Sequence, residues 1–283
     1  MPRRVIDAHV HFWTRDLVRN SASAREALAY FRASEDRVPT DLNGIVATME
    51  ECGVTRAFLL AMNCEASRDP ALRNLTVANE AVASAVREHP DLFVGFGSVD
   101  PRTGDRALAT VEEVGRLGLT GLKFHASAIE TYPNDEARMF PLYRRARELG
   151  LRIVHHTGTT ALGRCSIKYA RPVYLDDVAQ AFPDLPILAA HFGWPWIEEC
   201  FAVLMRNPNV FMDLSGWAPR YLPEAVLAMA NGPLKDRILV GSDYPMLSPG
   251  PWREEFERLV APRLKEGVAA KLLEANAVRF LGR

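Results

Sequence analysis

What most restricts the fold of this chain is an alternation that does not break across its 283 residues. Short apolar runs with strand character are each followed by a stretch with helical spacing, eight times over. The strand-like runs fall at 5–11, 56–60, 92–96, 121–125, 151–156, 187–191, 210–214 and 238–243. Between them, helical patterning is expected over 41–52, with Asp41 as N-cap and Gly53 closing it, and over 74–89, 105–117, 135–149, 174–182, 194–205 and 223–230. Closing helices are expected over 254–281. Strands alternating with helices build a parallel sheet with helical crossovers, and eight such units close a (β/α)8 TIM barrel of about this length. No linker, low-complexity tract or shift of composition divides the chain, so a single barrel domain over 1–283 is expected. The alternative, an open doubly wound sheet for a dinucleotide, lacks a G-x-G-x-x-G turn after any strand. Residues 12–39 exceed an ordinary connection, carry a helical patch at 24–31, and have the length of a segment that covers an active site.

The first strand holds the most reactive pattern, Val5-Ile6-Asp7-Ala8-His9-Val10-His11. Alternate side chains on a strand share a face, so His9 and His11 project together and supply half of a divalent-metal site. A lone histidine in a buried strand is usually a hydrogen-bonded core residue; here the other histidines change the balance. Lys123 and His125 close the fourth strand, His155 and His156 the fifth, His191 the sixth, and Asp243 the eighth. Six of the seven histidines thus stand at carboxyl ends of strands, and His89 alone lies elsewhere. In a barrel those ends surround one mouth, where active sites form. Neutral imidazoles with a carboxylate suit Zn²⁺ and tolerate Mn²⁺ or Fe²⁺, whereas an all-oxygen set would suit Mg²⁺ or Ca²⁺.

Charge and composition exclude other roles. A formal net charge of -1 gives no footprint for nucleic acid or an anionic membrane. No run approaches the roughly 18 apolar residues of a membrane span, and Arg3-Arg4 lead into the first strand without an apolar signal core. Cys52, Cys64, Cys165 and Cys200 form no C-x-x-C pair, which fits a reducing cytoplasm. A soluble cytoplasmic protein with a small-molecule substrate is expected.

Several runs taken together are recognisable: Asp7-Ala8-His9-Val10-His11, His156-Thr157-Gly158, Ala190-His191-Phe192-Gly193, Met212-Asp213-Leu214-Ser215 and Gly241-Ser242-Asp243-Tyr244-Pro245. In that order the chain resembles the amidohydrolase superfamily, and more narrowly its amidohydrolase-related (amidohydrolase 2) branch. The resemblance implies a (β/α)8 barrel with one divalent metal, and an activity among C–O and C–C hydrolases, hydratases and non-oxidative decarboxylases. It makes His9, His11, His156 and Asp243 the metal ligands, His156 being chosen over His155 because Thr157-Gly158 follow it. His191 becomes the residue that activates water or substrate beside the metal, and Asp243 also shuttles a proton. Lys123 bridges two metals in some relatives; in a one-metal site it anchors substrate charge, and His125 on the same face is a substrate contact. Dimers are frequent in the branch, so a homodimer is compatible with the resemblance.

The loop after the fifth strand adds Arg164, Lys168 and Arg171, a concentration of positive charge suited to a carboxylate or phosphate. With Lys168-Tyr169, Asp176-Asp177 and Leu214-Ser215-Gly216-Trp217, it resembles members described as hydrolysing β-ketoacyl-CoA thioesters of phenolic acids. Phe12, Trp13, Trp194, Trp196 and Trp217 follow strand ends and are candidates for an aromatic wall. The leading expectation is hydrolysis at a carbonyl by metal-activated water. Its rival is decarboxylation of an aromatic or unsaturated acid, and a non-catalytic barrel that binds a ligand is the reading from another class.

Overall fold

The structure, a computed structural model, describes residues 4–282. Met1 to Arg3, and so the Arg3 of the expected N-terminus, lie outside the described residues, as does Arg283. Eight strands follow one another around a single sheet: β1 (Ile6–His11), β2 (Arg56–Leu60), β3 (Phe93–Ser98), β4 (Gly121–Phe124), β5 (Arg152–His156), β6 (Ile187–Ala190), β7 (Val210–Asp213) and β8 (Ile238–Leu239). Every neighbouring pair is parallel. The sheet closes where the chain beyond β8 returns to β1: Ala8 donates to the Val240 carbonyl, Asp243 to His9 and His11 to Tyr244, each at 2.9 Å. This is the expected (β/α)8 barrel.

Helices cover the outside: α1 (Leu42–Glu51), α2 (Asn79–Glu88), α3 (Asp105–Arg116), α4 (Phe140–Glu148), α5 (Tyr174–Ala181), α6 (Ile197–Arg206), α7 (Glu224–Ala230) and α8 (Pro249–Glu255). Asp41 caps α1 through the Gly44 N–H at 3.0 Å, as its position predicts. Two helices begin five residues later than their patterns imply. The first, α2, waits until Asn79 because Val77 pairs with Met62 instead, its N–H donating to the Met62 carbonyl at 2.7 Å. The second, α4, waits until Phe140 because Pro141 fits only in a first turn. The expected strand over 238–243 pairs with β7 only at Ile238 and Leu239; its remainder turns to β1. Among the described residues no helix is long and apolar enough to cross a membrane.

The bore is filled by Ile6, Phe58, Val94, Phe96, Val154 and Leu188 among others, and a second apolar layer lies between strands and helices. Phe280, on the last helix (Asn276–Phe280), stops the amino-terminal end of the bore, its ring 5.5 Å from Phe211 and 6.1 Å from Phe58.

A bulge in β1 decides where the histidines point. Asp7 pairs with Ala57 but Val10 pairs with Leu59, so three steps on β1 match two on β2. Ile6 and Ala8 therefore fill the bore, and after the extra residue His9 and His11 take the inward positions. Asp7 shares their parity yet lies on the other side of the sheet, beside Val54 and Trp252.

Candidate metal centre

The carboxyl ends of the strands enclose a cavity of about 400 Å³. Its floor carries His9, His11, Lys123, His156, His191 and Asp243, all buried. The His11 Nε2 lies 3.1 Å from Asp243 Oδ1, and His9 Nε2 lies 3.6 Å from the same oxygen. Adjacent ligands at about 2.1 Å from one ion stand roughly 3.0–3.4 Å apart, close to this spacing. His9, His11 and Asp243 each offer an atom within 4.8 Å of the others. The Lys123 Nζ sits 3.3 Å from His9 Nε2. Buried and without a hydrogen-bond partner, the Nε2 of His156 is open to a ligand. The His156 ring stacks on His125 at 3.9 Å and lies 4.8 Å from His191. This open nitrogen and the donor set around Asp243 fit a divalent ion.

Burial sets the charge states. It pushes the imidazoles of His9, His11, His125 and His156 below their usual range, and the neighbouring Lys123 charge adds to the effect. Four neutral imidazoles result, the form that binds metal. Burial alone would raise Asp243, but His191, His11 and His9 outweigh it and hold the carboxyl below the ordinary carboxylate range. Burial also draws Lys123 down to about 8, against the pull of Asp213 and Asp243.

The backbone is bent to present these groups. His191 stands at φ 65° and Asp243 at φ 71°, left-handed conformations that non-glycine residues adopt at a cost. Hydrogen bonds hold both in place. Asp243 N–H reaches the His9 carbonyl, and His191 N–H donates to Asp213 Oδ1 at 3.1 Å. The His191 Nδ1 donates to the Ser215 carbonyl at 3.0 Å, which leaves its Nε2 as the free nitrogen. Gly216, at φ 75°, gives the room: a Cβ there would lie 2.9 Å from His191 Nδ1 and 3.2 Å from Asp243 Oδ2.

Some expected residues are elsewhere. Of the two neighbouring histidines, His156 lines the cavity, whereas His155 faces the helical layer, stacked on Phe124 at 5.2 Å with its Nε2 2.7 Å from the Tyr143 hydroxyl. The loop cations do not reach the cavity. Arg164 pairs with Glu26 at 3.3 Å and Asp69 at 3.6 Å, Arg171 pairs with Glu199, and Lys168 lies over the Tyr169 ring. Each finds an anion or ring nearer than the mouth, so the expected positive patch is a set of surface contacts. Of the candidate wall, Trp13 and Trp217 line the cavity and Phe12, Trp194 and Trp196 do not.

The long segment after β1, expected to cover the site and to carry a helical patch at 24–31, folds into two helices (Arg15–Asn20 and Ala22–Tyr30) and brings Tyr30, Phe31 and Arg32 to the rim. Arg220, tied to Glu255 at 2.8 Å, also lines the cavity. Nothing in the spacing of the sequence marks Arg220. Asp213 was legible as part of a motif, but its contacts were not: it is fully buried and holds His191, Ser215 and His9.

The sequence pattern of the amidohydrolase family matches residues 6–283. A 2-amino-3-carboxymuconate-6-semialdehyde decarboxylase of Dictyostelium discoideum is 24% identical over 246 residues, covering 72% of this chain and 65% of that protein. The chain therefore spans just under two thirds of that relative's length. A TIM-barrel protein of Bordetella bronchiseptica is 25% identical and superposes with a TM-score of 0.80 over 99% of this chain and 100% of the other. The 5-carboxyvanillate decarboxylase of Novosphingobium aromaticivorans, in complex with manganese and 4-hydroxy-3-methoxy-5-nitrobenzoic acid, shares the fold at 17% identity, with a TM-score of 0.76 over 99% and 96% of the two chains.

Proposed function

The chain belongs to the amidohydrolase family, and from that premise we propose that it is a divalent-metal enzyme that decarboxylates a small aromatic or unsaturated acid without an oxidant. The observation that carries this reading is the convergence of His9, His11 and Asp243 beside Lys123 and His191, at the floor of a cavity near the lower end of the ligand-pocket size range. A single ring fits such a volume, and Trp13 and Trp217 are among the side chains that line it. An acyl-CoA has lost its support, because Arg164, Lys168 and Arg171 are engaged outside the cavity. The decarboxylases among the similar proteins favour the same chemistry.

His9, His11, His156 and Asp243 would hold the ion, and the neutral imidazoles support Zn²⁺ or Mn²⁺ alike. When bound, the ion supplies a Lewis acid that draws a substrate oxygen to the floor. Lys123 adds positive charge for a carboxylate. His125, stacked on His156 with its Nε2 3.2 Å from Thr160 Oγ1, also lines the cavity. The reaction breaks the bond from the ring carbon to the carboxylate carbon; CO₂ leaves, and the electron pair takes up a proton. Asp243, held as carboxylate, accepts a proton from a substrate hydroxyl; the Nε2 of His191, bare while Nδ1 keeps the ring's own proton for Ser215, takes that proton over and delivers it to the ring carbon.

A second reading is hydrolysis of a lactone-like ester, with Asp243 as the base toward water; the ionised carboxylate within hydrogen-bond reach of His11 supports it. Metal-reconstituted protein assayed on hydroxybenzoates, unsaturated acids and lactone acids should release CO₂, and should stop doing so after chelation. Ring opening without CO₂ would replace this reading with the second. Neither reaction, from protein holding one equivalent of metal, would overturn both.

A further inference from the structure

Asp213 touches both halves of the centre without lining the cavity. It ends β7 and is fully buried. Its Oδ1 accepts the N–H of His191 at 3.1 Å and of Ser215 at 3.0 Å, and the Ser215 hydroxyl. Its Oδ2 faces His9 Nδ1 at 3.4 Å. A carboxylate has no proton to give, so the His9 contact is a hydrogen bond only when Nδ1 carries the ring proton. A neutral imidazole has one such proton. With it on Nδ1, Nε2 is left with a bare lone pair, and Nε2 is the nitrogen turned toward Asp243 and Lys123.

We propose that Asp213 is a positioning residue: it fixes the tautomer in which His9 can bind metal, and it pins the amide that turns His191 inward. Atoms of His9, His191 and Asp213 also lie within 4.8 Å of one another, a spacing that would admit a second ion. Four donors already occupy the Asp213 oxygens, however, and the carboxylate has no access to the cavity. It therefore acts through the hydrogen bonds. The inference rests on the reading of His9 as a ligand and extends it.

Asp213→Asn separates these roles. The amide oxygen can still serve the backbone N–H groups, while its NH₂ faces His9 Nδ1. The imidazole then accepts at Nδ1 and moves its proton to Nε2, where it blocks coordination. Nitrogen-15 NMR of metal-free protein, with His9 assigned by substitution to glutamine, should place the His9 proton on Nδ1 in the wild type and on Nε2 in the variant. Competition with a chelator should show Zn²⁺ bound about 10- to 100-fold more weakly by Asp213→Asn, the size typical for loss of a group that orients a ligand. Ser215→Ala, which leaves the His9 contact intact, should stay within about twofold of the wild type, well under that range. A wild-type proton on Nε2, or equal Zn²⁺ affinity in Asp213→Asn, overturns the proposal. So does a second tight Zn²⁺ that disappears in the variant, which would make Asp213 a ligand. Should Asp213→Asn fail to fold, the wild-type tautomer alone decides. Wild-type protein with the expected tautomer but no Zn²⁺ affinity would instead refute the metal centre.

Discussion

Asp243 and His191 stand a few ångströms apart yet should fail differently when replaced. Asp243 Oδ1 meets His11 and His9, so under the proposed mechanism Asp243→Asn removes a negative ligand and a proton acceptor at once. Metal content should fall together with turnover, and a variant that keeps both would remove Asp243 from the centre. His191 reaches the site with a free Nε2, while its Nδ1 is engaged by Ser215. In His191→Asn the metal should remain, and kcat should drop by at least about 100-fold, the scale of a lost proton-transfer group. Metal analysis alongside steady-state rates separates the two cases; unchanged turnover in His191→Asn would exclude it from the chemistry.

Elements set these residues in place through features smaller than a helix or strand. Gly216→Ala should keep the fold but press a methyl group against His191 and Asp243 in a backbone conformation that disfavours alanine. It should lower kcat/KM by about tenfold or more, since an ångström of misplacement costs this much or more, while a circular-dichroism melt changes little. Wild-type kinetics in this variant would mean the two side chains are not held by contact. The same scale explains what was readable in the sequence. Eight apolar runs, four of them closed by histidines and the last by Asp243, follow from period and composition, and they lead to His9, His11, His125, His156, His191 and Asp243 in one cavity. The bulge at Ala8 and His9 left no mark in the pattern, because an inserted residue looks like any other until its partner strand is known. The loop cations misled for a related reason: Arg164 and Arg171 chose Glu26 and Glu199, residues distant in the chain that sequence spacing cannot bring together.

At the scale of the whole molecule, the barrel is closed by apolar packing at one end and by buried imidazoles at the other. Phe280 is almost fully buried against Phe58, Phe96 and Phe211, so Phe280→Ala should cost about 3–5 kcal/mol in a denaturant titration, without altering the metal centre directly. A cost under about 1 kcal/mol would show that the bore does not depend on this stopper.

The opposite end makes the metal-free protein sensitive to acid. Burial drives His155 down to about 3 and also depresses His9, His11, His125 and His156. An unfolded histidine titrates near 6.5, so between that value and the folded one the unfolded chain binds more protons. The contribution of these imidazoles is therefore complete above about pH 6.5 and is lost as pH falls toward the folded values, by about 1.4 kcal/mol per pH unit for each proton taken up. Asp7 opposes this trend, since burial raises its carboxyl to about 7 and the folded state then holds the extra proton between about 4 and 7. Five imidazoles outweigh one carboxyl. The urea midpoint of chelated protein should fall between pH 7 and pH 5, and His155→Phe should make that fall shallower. A midpoint that held steady or rose on acidification would mean the imidazoles are not kept neutral by burial, and the donor set would lose its physical basis.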